Sequence, residues 1–175
     1  MRPSRTPILG TVAALVTAAV VAGGAAAGAG DQRIVAASAP KHLWSTINIC
    51  DTSKHPDQLG IRARMPGNGT SQKMRMRFIA QYMKQGSWVR VKDAVSPWRL
   101  AGSASFTWQE LGWTFNFKEL QPGDGYRMRG LVKFEWRSHG KVVRRAHAYT
   151  TSGHRTGRGD PPNYSASTCF MSGGI

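Results

Sequence analysis

The chain has 175 residues, 41% of them hydrophobic, with 24 lysines and arginines against nine aspartates and glutamates and a formal net charge of +15. That length accommodates one ordinary domain. The charge works against cationic partners and favours polyanions and anionic surfaces, while saying nothing about fold. Neither of the two cysteines belongs to a CxxC pair and the five histidines are scattered, so no metal-ligating set is expected.

The first element is a leader. "MRPSRTP" supplies Arg2 and Arg5, "ILGTVAALVTAAVVA" is an uninterrupted, weakly hydrophobic run, and "GGAAAGAG" offers small-residue cleavage sites after Ala27 or Ala29. Residues 1–29 therefore have the pattern of a secretory signal peptide. A membrane anchor is the alternative, but the run from Ile8 to Ala22 is shorter than the roughly 20 apolar residues that span a bilayer. The expected mature protein, residues 30–175, is one secreted domain without a transmembrane segment. It loses two arginines and no acid, leaving 22 basic residues against 9 acidic ones and a charge of +13. Such a charge opposes self-association, so a monomer is expected.

From there the hydrophobic period is two. "HLWSTINIC" alternates Leu43, Ile47 and Ile49 imperfectly with polar positions, and "GIRARMPG" sets Ile61, Ala63 and Met65 against Arg62 and Arg64. In "KMRMRFIAQYM", Met74, Met76, Phe78, Ala80 and Tyr82 share one face, while Lys73, Arg75, Arg77, Ile79 and Gln81 share the other. A helix would put arginines into the apolar stripe, so a strand is predicted. "SWVRVKDA" adds Val89 and Val91 after a turn at Gly86. "SPWRLAGSASFTWQEL" is less periodic and is read as a short edge strand or a loop. "GWTFNFKEL" contributes Trp113, Phe115 and Phe117. The stretch that follows "LQPGDG" contributes Tyr126, Met128, Gly130, Val132, Phe134 and Trp136 on one face. "KVVRRAHAYTT" closes the set after the turn "RSHGK"; its adjacent Arg144 and Arg145 must break the alternation, as a bulge would.

The tail "HRTGRGDPPNYSAS" has the composition of a long loop and leads to Cys169. In an exported protein Cys50 and Cys169 form the one available disulfide. In the chain-entropy account, closing a loop of about 100 residues is worth up to ~4.7 kcal/mol.

Seven or so short strands with turn signals between them and no amphipathic helix predict an all-β antiparallel sandwich. In "LQPGDGY", Leu120, Pro122, Gly123 and Tyr126 have the spacing of a tyrosine corner. On these residues the domain resembles fibronectin type III and immunoglobulin-like domains, and the resemblance implies a Tyr126 hydroxyl hydrogen-bonded back to the backbone of the preceding turn. The cysteines depart from the immunoglobulin pattern, with one in the first strand and one beyond the last. More loosely, "INICDT" and "DPPNYSASTC" resemble small exported bacterial proteins of uncharacterised function, a likeness that implies no site residues.

If the strands "KMRMRF" and "YRMRG" share a sheet, Arg75, Arg77, Arg127 and Arg129 form a basic patch on its outer face, because same-face residues in a strand stand roughly 6.5–7 Å apart. Trp88, Trp98, Phe106 and Trp108 lie near strand ends or in irregular segments, where an exposed ring binds a sugar or base and a buried one plugs the end of the sandwich. Arg158-Gly159-Asp160 matches an integrin-binding tripeptide, and Asn68-Gly-Thr70 and Asn163-Tyr-Ser165 match the glycosylation acceptor pattern.

No catalytic constellation is present: the acids are isolated, and neither GxSxG nor HExxH occurs. Asp51 with His55 and Asp57 is the densest polar cluster. The expectation is a secreted, non-catalytic binding or surface-interaction module, without cofactor or metal. Its basic face serves an anionic partner: a cell-wall polymer, polysaccharide, nucleic acid or acidic protein. The alternative is a structural or accessory exported protein whose charge serves solubility alone.

Overall fold

A computed structural model describes residues 42–117, 123–155 and 157–172. The leader 1–29 and the corner residues Leu120 and Pro122 lie outside the described residues. Among the described residues there are nine strands and no helix: β1 (Trp44–Thr52), β2 (His55–Pro66), β3 (Lys73–Lys84), β4 (Ser87–Val95), β5 (Arg99–Ser103), β6 (Trp108–Asn116), β7 (Gly125–Ser138), β8 (Lys141–Tyr149) and β9 (Cys169–Ser172).

They form an antiparallel sandwich. One sheet has the order β1-β2-β6; the other runs β4-β3-β7-β8, with β5 also pairing β3 and β9 also pairing β7. Seven of the strands correspond to the seven periodic segments of the sequence. The two additional ones are short, β5 with five residues and β9 with four, too few for alternation to stand out. The Gln85-Gly86 and His139-Gly140 turns join β3 to β4 and β7 to β8, with positive φ at all four residues, as tight hairpins require.

The alternation places the core. Ile61, Ala63 and Met65 of β2, Met74, Met76, Phe78 and Ala80 of β3, and Val132, Phe134 and Trp136 of β7 are all fully buried between the sheets. Each large side chain removed from water in this way contributes roughly 1.5–3 kcal/mol. The Trp136 indole N–H, which could not be left unpaired there, donates to the Pro66 carbonyl at 3.2 Å. The irregularity between β7 and β8 falls where Arg144 and Arg145 adjoin: Trp136 pairs Arg144 and Arg137 pairs Val142, so Val143 is the surplus residue. Arg144 consequently lies over the Trp136 ring, while Arg145 reaches Glu135.

Cys50 of β1 and Cys169 of β9 are disulfide-bonded, with Cα atoms 5.6 Å apart and a sequence separation of 119. Because β1 and β9 belong to different sheets, the bond ties the two layers together. The tail segment before Cys169 packs along β1. Ile47 and Ala166 exchange N–H···O bonds of 3.0 Å, Asp160 N–H donates to the Asn48 carbonyl at 2.8 Å, and Asn48 Nδ2 donates to the Arg158 carbonyl at 2.8 Å. This covers an edge strand that would otherwise offer unpaired backbone groups. It also explains why Thr46 and Asn48 are buried although they alternate with the core residues.

Candidate basic binding face

The residues that alternate with the β3 and β7 core face outward from the larger sheet, and the β3–β7 register sets their neighbours. Arg75 stands opposite Glu135, Arg77 opposite Lys133, Ile79 opposite Leu131, and Gln81 opposite Arg129. Arg127 follows in the same alternation, opposite Phe170 of β9. Arg75, Arg77, Arg127 and Arg129 thus belong to the same face of one sheet, but in two pairs. Four residue steps along β7 take Lys133, the partner of Arg77, to Arg129, which corresponds to roughly 13 Å along the strand.

The two pairs have different surroundings. Arg75 Nη2 donates to the Trp98 carbonyl at 3.1 Å and Arg77 Nε to the Ser96 carbonyl at 3.0 Å. The Ser96 hydroxyl in turn accepts the Phe78 N–H at 2.9 Å, holding the segment that orients both arginines. At the other end, the Arg129 guanidinium lies 3.9 Å from the Tyr149 ring centroid and 4.4 Å from that of Trp88, and Nε donates to Gln81 Oε1 at 2.8 Å. Burial holds Arg129 below its ordinary pKa, with the Tyr149 hydroxyl opposing. With Trp88 of β4 and Tyr149 of β8 both within reach of its guanidinium, Arg129 serves as a brace between β4 and β8. Arg127 is exposed.

Other strands complete the face. Arg90 of β4 pairs Gln81 and is exposed, as is Lys133. Arg77, Arg90 and Lys133, with Asp93, Ile79 and Val95, line a depression of about 330 Å³. A second depression, of about 560 Å³, is lined by Lys73, Arg75 and Arg137 together with Leu100 and the Ser138–Gly140 turn. Glu135 is buried on this same face and is already paired, with Arg137 Nη1 at 3.0 Å and Arg145 Nε at 3.3 Å. Sequence reading singled out the arginines and passed over Lys133 and Arg90. Period two continued along "RMRGLVKF" puts Lys133 on the Arg127–Arg129 face, whereas the position of Arg90, opposite Gln81, is set by the β3–β4 hairpin register.

The smaller sheet carries a different basic arrangement, and it is internally compensated. Glu110 accepts from Arg62 Nη2 at 2.7 Å and from Arg64 Nε and Nη2 at 2.9 and 2.7 Å. Burial alone would raise the Glu110 pKa; the hydrogen bonds from the two arginines outweigh it and hold the carboxyl below its ordinary value. Arg64 lies over the rings of Trp108 and Trp44, at 4.1 and 5.3 Å, and His154 stacks on Trp44 with the ring centroids 4.5 Å apart. Of the four aromatics set apart in the sequence, Trp88 and Trp108 hold arginines, Trp98 is half-buried and Phe106 is 61% exposed.

The remaining sequence motifs are structural in their contacts. Asp160 accepts from the Thr52 hydroxyl and lies 4.0 Å from His55 Nε2, so the acid of the Arg158-Gly159-Asp160 tripeptide faces the β1–β2 hairpin. Asp51 accepts the Asp57 N–H at 2.8 Å and the Ser172 N–H at 3.2 Å. The described bond of the Tyr126 hydroxyl goes to the Asp124 carboxylate at 3.3 Å. Among the described residues no cluster of His, Cys, Asp and Glu could hold a metal ion, and no helix is long and apolar enough to cross a membrane. No protein-family model matches the chain, and neither does any curated protein.

Proposed function

We propose that the protein is an exported, non-catalytic binding module whose larger sheet presents its outer face to an anionic polymer. The observation that carries this reading is the directly opposed pair Arg77 and Lys133. Like charges at opposed positions weaken a sheet, and a bound polyanion would relieve that repulsion. The two adjacent cationic depressions, one lined by Lys73, Arg75 and Arg137 and the other by Arg77, Arg90 and Lys133, suit an extended ligand rather than a small one. The disulfide fits an oxidising compartment and supports export.

The strand order supports an immunoglobulin or fibronectin III-like domain as well. With the strands lettered in chain order, β1, β2 and β6 take the places of A, B and E, and β3, β7 and β8 those of C, F and G. Tyr126 then lies at the start of F, where the tyrosine corner belongs.

The experiment is a titration of the purified protein with polyphosphate, polygalacturonate and RNA across salt concentration, beside the variant Arg75→Ala/Arg77→Ala/Arg127→Ala. Neutralising about four anionic groups makes affinity fall about 10²-fold between roughly 50 and 200 mM salt, and replacing any one ligand-binding cation lowers the slope by about one. Weak binding of every polymer with a shallow slope, or an unchanged slope in the variant, would return the charge to a role in solubility.

A further inference from the structure

The depression bounded by Arg77, Arg90 and Lys133 also contains a carboxylate, and that carboxylate is placed by an irregularity of the backbone. Pairing between β3 and β4 passes from Gln81 opposite Arg90 to Ile79 opposite Val95. Five steps along β4 therefore span two along β3. Val91, Lys92, Asp93 and Ala94 are left out of the ladder, Ala94 tucks inward to 7% exposure, and Asp93 adopts a φ of +61°. Aspartate and asparagine tolerate this left-handed conformation better than other side chains with a Cβ. Bulges of this kind re-aim side chains, and here the bulge brings Asp93 to the rim of a pocket whose other polar groups are cations.

A site for anionic groups alone gains nothing from Asp93, which repels them. Among the described residues, Asp93 lies within 4.0 Å of no lysine, arginine or histidine nitrogen, so its oxygens are not consumed by Arg77, Arg90 or Lys133. Val95, half-buried, supplies most of the aliphatic surface between these polar groups, Ile79 being only 6% exposed. The chemistry that uses all three features is a ring with a C–H face, a hydroxyl group and an attached anion. The volume, about 330 Å³, suits one such unit, near the lower end of ordinary ligand sites of roughly 300–1,000 Å³.

We propose that this depression is the subsite for one acidic sugar unit of the polymer, with Arg77, Arg90 and Lys133 receiving its anionic group and Asp93 accepting a hydroxyl hydrogen bond. The inference rests on the polyanion reading above and identifies the polymer as an acidic glycan, not a nucleic acid or an acidic protein.

Two probes separate the contributions: polygalacturonate, which carries carboxylates and hydroxyls on a ring, and polyphosphate, which has anions without either hydroxyls or a C–H face. Both are titrated against the purified disulfide-bonded protein and its Asp93→Asn, Arg90→Ala and Lys133→Ala variants, with thermal unfolding run on each. Asparagine keeps the left-handed residue of the bulge, so Asp93→Asn is expected to fold. That variant is expected to bind polygalacturonate about fivefold more weakly, because an amide oxygen accepts a weaker hydroxyl hydrogen bond than a carboxylate, and to bind polyphosphate as well as or better than the parent protein. Arg90→Ala and Lys133→Ala weaken both. If Asp93→Asn strengthens both, or alters neither, Asp93 takes no hydroxyl and the sugar assignment is overturned. If salt-sensitive binding persists but is indifferent to Arg90 and Lys133, the polyanion reading stands and the subsite is rejected. Tighter binding of RNA than of polygalacturonate, unaffected by Asp93→Asn, also overturns the sugar assignment. Absence of salt-sensitive binding to every polymer removes both readings together.

Discussion

Arg77 and Lys133 stand directly opposite each other on β3 and β7, and among the described residues neither lies within 4.0 Å of a carboxylate. The contrast with Arg62 and Arg64 on the smaller sheet is instructive, because those two converge on Glu110. Arg62 and Arg64 share a carboxylate, as Arg137 and Arg145 share Glu135 on the larger sheet; the Arg77–Lys133 pair at the centre of that sheet has none.

This pair separates stability from binding. Lys133→Glu converts the repulsive pair into an attractive one and is expected to stabilise the domain by about 0.2–1 kcal/mol, read as a higher urea midpoint. The same change places a carboxylate in the depression and is expected to lower polyanion affinity by about tenfold or more, in line with the cost of a misplaced charge in a complementary field. Added salt is expected to raise the midpoint of the parent protein by screening the repulsion, and to do so less for Lys133→Glu. A Lys133→Glu protein that is less stable yet binds polyanions normally would show that the opposed pair has neither consequence.

The disulfide is expected to account for a substantial share of the folding stability. It joins strands of different sheets across 119 residues of sequence, so its loss frees most of the chain in the unfolded state. The Cys50→Ala/Cys169→Ala variant is expected to lose about 2–5 kcal/mol, a fall in Tm of about 4–20 °C for a domain of this size, measured by calorimetry. Below its own Tm the variant should keep its polyanion affinity, because the basic face is built by β3, β4 and β7. A loss of binding in a sample that is still folded would place the disulfide in the site.

His154 provides a pH dependence. Burial first, and the neighbouring Arg64 cation second, hold its imidazole below the ordinary value. Between that lowered value and the unfolded value near 6.5, the unfolded chain binds a proton that the folded protein does not, so stability falls as pH falls through this window and levels off below it. His154→Phe keeps a flat ring against Trp44 and removes the titration. Urea midpoints across this range should decline for the parent protein and stay nearly level for the variant. Glu110 acts at more acid pH and in the same direction, because its folded value is also lowered; its stabilising contribution is complete above the unfolded value and disappears as pH falls through the folded one. Parallel profiles for the parent protein and His154→Phe would remove His154 as the source of the upper phase.

What the sequence determined by itself is which way each side chain points. In "KMRMRFIAQYM" and "YRMRGLVKFEW" the period of two assigns Met74, Met76, Phe78, Val132, Phe134 and Trp136 to the core and the intervening arginines to the outside, since successive residues of a strand face opposite sides whatever the strand pairs with. The pairing of Cys50 with Cys169 was equally legible, there being no third cysteine. Only the tertiary structure decided which outward residues are neighbours. That Arg77 meets Lys133, that Arg129 is held between Trp88 and Tyr149, and that the β4 bulge carries Asp93 to the edge of a cationic depression all depend on strand order and register. Those are set by the summed packing of two sheets and the closure of long loops, and a local repeat of polar and apolar residues, identical for many registers two residues apart, contains no record of either.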